Sequence, residues 1–248
     1  MDLARALDAE SGVIAAVGAG GKKSTLYALA SHLSNDRDAA VVVTATVRIP
    51  IFDPHVNRVI VSEHPHRDLE KPASYPIGIV PARDGADRYR GYDPRIIDSL
   101  ADADTIDALL VKADGARMRE FKAPGPNEPR LPDSTSTVLA IVSLGAIGEP
   151  LSTAVVHRPD RVSAITGRQI GERIRPGDVA AVLTSEQGAR KDVPDSASVI
   201  PVLNKVDDDD RRGNAERIAE KVLGKSNHID RVVLTRMIDT DPILAVLE

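Results

Sequence analysis

An α/β fold with a mainly parallel sheet and helices on both faces is the architecture this sequence predicts, and three observations carry the expectation. Short β-branched runs alternate with helical patterns along the chain. A glycine-rich segment, Val17–Leu26 (VGAGGKKSTL), joins the first such run to the first helical pattern. Polar side chains suited to ligands follow the C-terminal ends of several runs, the edge where open α/β sheets bind their ligands.

Taken in order, Gly12–Val17 (GVIAAV) is continuously apolar, as a strand covered on both faces requires. Ser24–Ser34 then sets Leu26, Leu29, Ala30 and Leu33 on one helical face. Ala39–Thr46 (AAVVVTAT) is a second strand ending in two threonines. Arg58–Ser62 (RVIVS) and Pro76–Val80 (PIGIV) fit strands of an excursion at the sheet edge. Asp93–Ala103 opens with an aspartate as N-cap and a proline in the first turn, so it is read as a helix. Further strands are expected at Asp107–Asp114, Thr137–Ser143, Ser198–Asn204 and Arg231–Thr235, and a helix at Asp207–Gly224, closed by its glycine. Without an internal repeat or low-complexity linker, residues 1–248 are expected to form a single domain.

The exception to this regularity is 112–136 (KADGARMREFKAPGPNEPRLPDSTS), a Pro-rich basic stretch with no helical or strand period. A structureless segment of this length inside a domain is usually functional or disordered. It leaves the end of an expected strand, and so the ligand edge.

Composition narrows the classes of function. Apolar residues make up 42% and charged residues 28%, the balance of a soluble globular protein. The net charge of −5 gives no reason to expect nucleic acid or an anionic membrane as partner. The chain has no cysteine, which removes disulfides, thiolate metal sites and cysteine nucleophiles. The opening MDLARALDAE lacks a signal-peptide core, and no apolar run approaches the ~20 residues that span a bilayer. The expected location is therefore the cytoplasm.

Three motifs carry the chemistry. A phosphate-binding loop needs glycines that turn backbone N–H groups inward, a lysine for the β- and γ-phosphates and a hydroxyl for Mg²⁺, all at a helix N-terminus. Gly18, Ala19, Gly20, Gly21, Lys22, Lys23, Ser24 and Thr25 supply these groups between a strand and a helix. The spacing departs from G-x-x-x-x-G-K-[ST] by one residue: with Lys22 as the key lysine, Ala16 replaces the first glycine and Lys23 the hydroxyl. In the other register Lys23-Ser24 is the K-S pair and Lys22 takes the second glycine position. A plain Gly-rich turn is the competing reading. Asp114, at the end of its strand, is placed to hold Mg²⁺ with Ser24, or else simply begins the turn at Ala113–Ala116. Asn204-Lys205-Val206-Asp207 follows an apolar strand as guanine-reading segments do, and it fits equally an acidic helix start. A carboxylate there accepts from the guanine ring N–H and amine, donors that adenine lacks. All three occur in order at strand ends, which favours a Mg²⁺–nucleotide site, with GTP ahead of ATP.

These segments, with the long loop and VVHRPDR (Val155–Arg161), resemble the YqeC family of accessory proteins of selenium-dependent molybdenum hydroxylases. The likeness spans nearly the whole chain and is most specific in ADGAR…KAP…EP…P. It implies a P-loop NTPase fold and a role in maturing a selenium- and molybdenum-containing enzyme, with that hydroxylase or its cofactor-maturation proteins as partners. The family usually has a hydroxyl where Lys23 stands and a Glu where Lys112 precedes Ala113-Asp114-Gly115. Its threonine run is reduced here to Thr44-Ala45-Thr46.

Thr44 and Thr46 are expected to end their strand facing the phosphates, with Thr46 beside Lys22 and Asp114 in any catalysis. Arg117, Arg119 and Lys122 would meet phosphates or an anionic second substrate. Asn127 and Glu128, between prolines, would be held stiffly, and His157 and Arg158 join the candidate substrate or switch residues. His64 and His66 lack a third metal ligand nearby and are read as exposed loop residues. The expected function is binding of a Mg²⁺–nucleoside triphosphate, with slow hydrolysis or nucleotide switching. A small-molecule kinase and a non-hydrolysing nucleotide-bound scaffold are the alternatives.

Overall fold

Strands that are apolar on both faces must be covered on both, and the chain meets that demand with one large sheet. The computed structural model describes residues 1–69, 74–103 and 105–248. Its sheet contains β1 (Gly12–Gly18), β2 (Val41–Ala45), β3 (Arg58–Val61), β4 (Ile77–Val80), β5 (Ala108–Lys112), β6 (Thr135–Ser143), β7 (Ser198–Asn204), β8 (Val232–Thr235) and β9 (Ile243–Leu247). The spatial order is β9-β8-β7-β6-β1-β5-β2-β4-β3. Every pair is parallel except β8 with β9.

The alternation of side chains along β1 divides the core. Ile14 and Ala16 pack on one face with Leu26, Leu29, Ala30 and Leu33 of helix α1 (Lys22–Asp36). Ala15 and Val17 point the other way, into a cluster closed by Val179 and Leu183 of one helix and Ile218 and Val222 of another. Asp93 caps helix α2 (Pro94–Ala101) by accepting from the Arg95 N–H, as its sequence predicts, and Ile97 and Leu100 cover the β5–β2 region. Helix α3 (Pro159–Thr166) and helix α4 (Pro176–Thr184) were not expected from the sequence, whereas helix α5 (Asp209–Leu223) was.

From β1 the chain crosses by α1 to β2 on one side, while β6 lies against β1 on the other. The carboxyl ends of β1 and β5 therefore meet beside a change of winding direction, the usual place for a ligand in such sheets.

The segment 112–136 is not a structureless loop. Its last residues open β6, and Phe121–Lys122 forms a short parallel pair with Val156–His157. The Arg130 N–H bonds to the Ala113 carbonyl at 3.0 Å, and Ser143 N–H bonds to the Glu120 carbonyl at 3.1 Å. Phe121 and Ala123 are buried in the core, while Arg117 and Met118, then Pro126, Asn127, Arg130, Asp133, Ser134 and Ser136, stand out in solvent. Its pairing partners are not near neighbours in sequence, and no local period reports them.

Candidate functional site

The turn between β1 and α1 consists of Ala19, Gly20 and Gly21 alone. Gly20 (φ +77°) and Gly21 (φ +152°) hold backbone that L-residues rarely adopt. A Cβ on Gly20 would come within 2.3 Å of the Ser143 Cβ, and one on Gly21 within 2.3 Å of the Asn204 Nδ2. The Ala19 N–H is taken by the Ile141 carbonyl at 2.8 Å. Among the described residues, none of the five successive N–H groups from Gly20 to Ser24 has a protein acceptor. Free donors at a helix N-terminus are groups that can hold an anion.

The two lysines of this turn part company. Lys22 is buried, with Nζ donating to the Gly18 carbonyl and lying 2.9 Å from Asp114 Oδ1. Burial pulls its pKa down and Asp114 opposes that. Lys23 is partly exposed and lines the open cleft, as does the exposed Ser24. Thr25 is buried, its hydroxyl donating to the Gly21 carbonyl at 3.1 Å.

Asp114 lies just past β5, buried beneath the turn. Its Oδ2 accepts from the Gly18 N–H at 2.8 Å and lies 2.9 Å from Lys122 Nζ, while Oδ1 faces Lys22. Burial works against the charge of this carboxylate, but the two lysines and the Gly18 N–H outweigh it and hold its pKa below the ordinary value.

Lys122 departs from the expectation of a phosphate-facing loop residue. It is buried, and its ammonium spans Asp114, Glu128 at 2.9 Å and the Gly115 carbonyl at 2.7 Å. Arg158 donates to the same Glu128 carboxylate at 2.6 Å. Burial opposes ionisation of Glu128, yet Arg158 and Lys122 hold its pKa down to about 2. His157 pairs in register with Lys122, and burial, then the Arg158 charge, push its imidazole down to about 4. Glu128 and Arg158 thus brace a buried ion network behind the turn, with His157 beside it. Arg117 and Arg119 do line the cleft. Asn127 is exposed, as are His64 and His66.

The threonines also depart from expectation. Thr44 donates to the Ile79 carbonyl at 2.8 Å and Thr46 to the Arg130 carbonyl at 2.6 Å, both buried. Their hydroxyls tie strand ends and the long segment together, which removes Thr46 from a catalytic position. Arg130 returns the contact by donating to the Thr46 carbonyl at 3.2 Å.

At the far end of the cleft, Asn204 donates from Nδ2 to the Gly20 carbonyl at 2.9 Å. Its Oδ1 accepts from the Met237 N–H at 3.1 Å and from the Thr235 hydroxyl at 3.2 Å. Lys205 takes left-handed backbone (φ +62°), and its Nζ lies 2.7 Å and 2.8 Å from the Glu120 carboxylate oxygens. Asp207 is paired with Arg211 and stands at the cleft wall. The cleft has a volume of about 900 Å³ and runs from the free donors of Gly20–Ser24 to Asp207 and Ile238. That is within the range of small-molecule sites.

Sequence reasoning missed Glu120, Lys112 as a cleft residue, and the Met237–Ile238 wall. Lys112 donates to the Arg48 carbonyl at 2.8 Å, and burial, then the nearby Lys22 charge, lower its pKa to about 7. A lysine closing an apolar strand was a signal for this position, but Glu120 sits in a stretch without any period.

Two comparisons bear on identity. The family model described as "YqeC protein" matches residues 14–160, from β1 through the start of α3. An Escherichia coli (strain K12) protein described as "Uncharacterized protein YqeC" is 32% identical over 196 residues, covering 78% of this chain and 75% of that one.

Proposed function

The chain belongs to the YqeC family, and we propose that this member binds a nucleoside triphosphate, GTP in preference to ATP, in the cleft between the Gly20–Ser24 turn and Asp207. The observation that carries the reading is the row of five N–H groups at the α1 N-terminus that are unpaired among the described residues, with Lys22 and Lys23 opening the helix. A phosphate chain satisfies those donors, and a ribose and base then extend along the cleft toward Asn204-Lys205-Val206-Asp207. Asn204 braces the turn, the Lys205 stem covers a ring face, and Asp207 exchanges its Arg211 partner for guanine. The P-loop NTPase-like sheet, with β1 and β5 side by side, is consistent with this assignment.

The biological role in this reading is an accessory one, with slow hydrolysis or nucleotide switching serving the maturation of a selenium-dependent molybdenum hydroxylase. The family resemblance is its only support. Arg117, Met118 and Arg119, exposed or partly so at the cleft rim, are the residues through which a nucleotide-dependent contact with that enzyme, or with its cofactor-maturation proteins, would be made.

The test is thermal denaturation with GTP, GDP, ATP and ADP. Guanine nucleotides raise the melting temperature more than adenine nucleotides, and Asp207→Ala removes that preference while leaving binding. Equal stabilisation by both purines would sink the guanine assignment.

A further inference from the structure

Nucleotide-binding loops of this type neutralise phosphate charge with Mg²⁺, held by the hydroxyl after the loop lysine and by a strand-end aspartate. The donor set here does not fit that ion. The residue after Lys22 is Lys23. Thr25 has its hydroxyl buried and bonded to the Gly21 carbonyl, which leaves Ser24 as the lone hydroxyl at the cleft. Asp114 has an ammonium group 2.9 Å from each of its oxygens, so a divalent cation arriving there would displace two buried ion pairs. Glu120, Glu128 and Asp207, the carboxylates that line the cleft, are already paired with Lys205, with Lys122 and Arg158, and with Arg211. Among the described residues, no group of three His, Asp or Glu side chains is arranged to hold a metal.

What stands in the cleft instead is positive. Lys23 occupies the position of the metal-binding hydroxyl and makes no ion pair among the described residues. Lys112 reaches in from the end of β5, adjacent in register to Ala16 and Ala45, and spends one N–H on the Arg48 carbonyl, leaving others for a ligand. A metal-free polyphosphate keeps all of its negative charge and gains from each ammonium it meets. A metal-bound one brings Mg²⁺ up against Lys23, and like charges at that range repel.

We propose that Lys22, Lys23 and Lys112 take the place of Mg²⁺, so that the site selects the metal-free form of a nucleoside triphosphate. The proposal rests on the nucleotide-binding reading above and goes beyond it by fixing the chemical form of the ligand.

Calorimetric titration of the full chain with GTP, once in EDTA and once in excess Mg²⁺, tests it. Affinity in EDTA is expected to exceed that in Mg²⁺. Lys23→Ser, which restores a hydroxyl after the loop lysine at a partly exposed position, should weaken binding in EDTA by about tenfold or more and weaken it less in Mg²⁺. Wild-type binding that is as tight or tighter in Mg²⁺ would overturn the inference while leaving the nucleotide site standing. Equal affinity of wild type and Lys23→Ser in EDTA would also overturn it. Binding in neither medium would remove the underlying reading as well.

Discussion

Asn204 donates to the Gly20 carbonyl at 2.9 Å, joining residues 184 positions apart and tying the Asn204–Asp207 end of the cleft to the glycine turn. The same side chain accepts from the Met237 N–H and the Thr235 hydroxyl, both buried. Asn204→Ala leaves the buried Met237 N–H and Thr235 hydroxyl, and the half-buried Gly20 carbonyl, without partners, and an unsatisfied buried group costs about 1–3 kcal/mol. Urea denaturation is expected to show a loss of at least that size. GTP and ATP affinities should fall together, unlike the selective effect of Asp207→Ala. Undiminished stability would mean that water replaces the side chain and that it does not brace the turn.

Glu128 makes part of the stability acid-sensitive. Its pKa is about 2 in the folded protein against 4.5 ordinarily, so the unfolded chain binds a proton that the folded one refuses. The contribution is complete above 4.5 and disappears as pH falls toward about 2. Glu128→Gln should flatten that part of the stability–pH curve, and an unchanged curve would contradict the ion network.

Lys112 gives binding and stability opposite dependences on pH. Its pKa is lowered from 10.5 to about 7 by burial first, then by Lys22 and Lys122, against Asp114 and Glu128. Between those values the unfolded chain holds the proton that the folded chain lacks, so this residue makes stability rise with pH across the window. Bound phosphate favours the ammonium, so affinity for GTP should decline as pH rises above about 7. Titrations in buffers of different ionisation enthalpy, on the alkaline side, are expected to register proton uptake that Lys112→Met abolishes. Equal uptake in the variant would assign the proton elsewhere.

The long segment should respond to nucleotide only at its tip. Residues 121–125 are buried and Arg130 is tied to both Ala113 and Thr46, whereas Arg117 and Met118 are exposed at the cleft. Hydrogen exchange with and without GTP is therefore expected to gain protection across Gly115–Glu120 and to change little across Phe121–Pro132. Uniform protection of the whole segment would mean that it moves as a unit.

The sheet was legible because parallel strands covered on both faces read as unbroken apolar runs, and GVIAAV, ALLVK and SVIPVLN are such runs. The α1 face with Leu26, Leu29, Ala30 and Leu33 was legible from its period, and α2 from its cap. Helix α4 was not, since PGDVAAVLT is short and apolar enough to pass for a strand or loop, and its start has Arg175 in place of a small polar cap, with Asp178 accepting from the Arg175 N–H. The antiparallel β9 gives too short a signal to announce its pairing with β8. At the site, the turn and Asn204-Lys205-Val206-Asp207 were readable from spacing and context. Lys122 was misplaced because a lysine in a proline-rich stretch looks solvated until Asp114 and Glu128 are seen beside it. Thr46 was misplaced for the same reason, its acceptor lying 84 residues away.

Whether the Gly20–Ser24 turn holds the phosphates of a nucleotide is tested by calorimetric titration of wild type and Lys22→Ala with GTP. Lys22 lies against Asp114 beneath the turn, and in the variant Asp114 keeps Lys122 and the Gly18 N–H. The folded protein should therefore survive, as a melting curve will verify. The account predicts saturable binding to the wild type, lost in Lys22→Ala. Absence of binding to the wild type, or the same affinity in the folded variant, would contradict it.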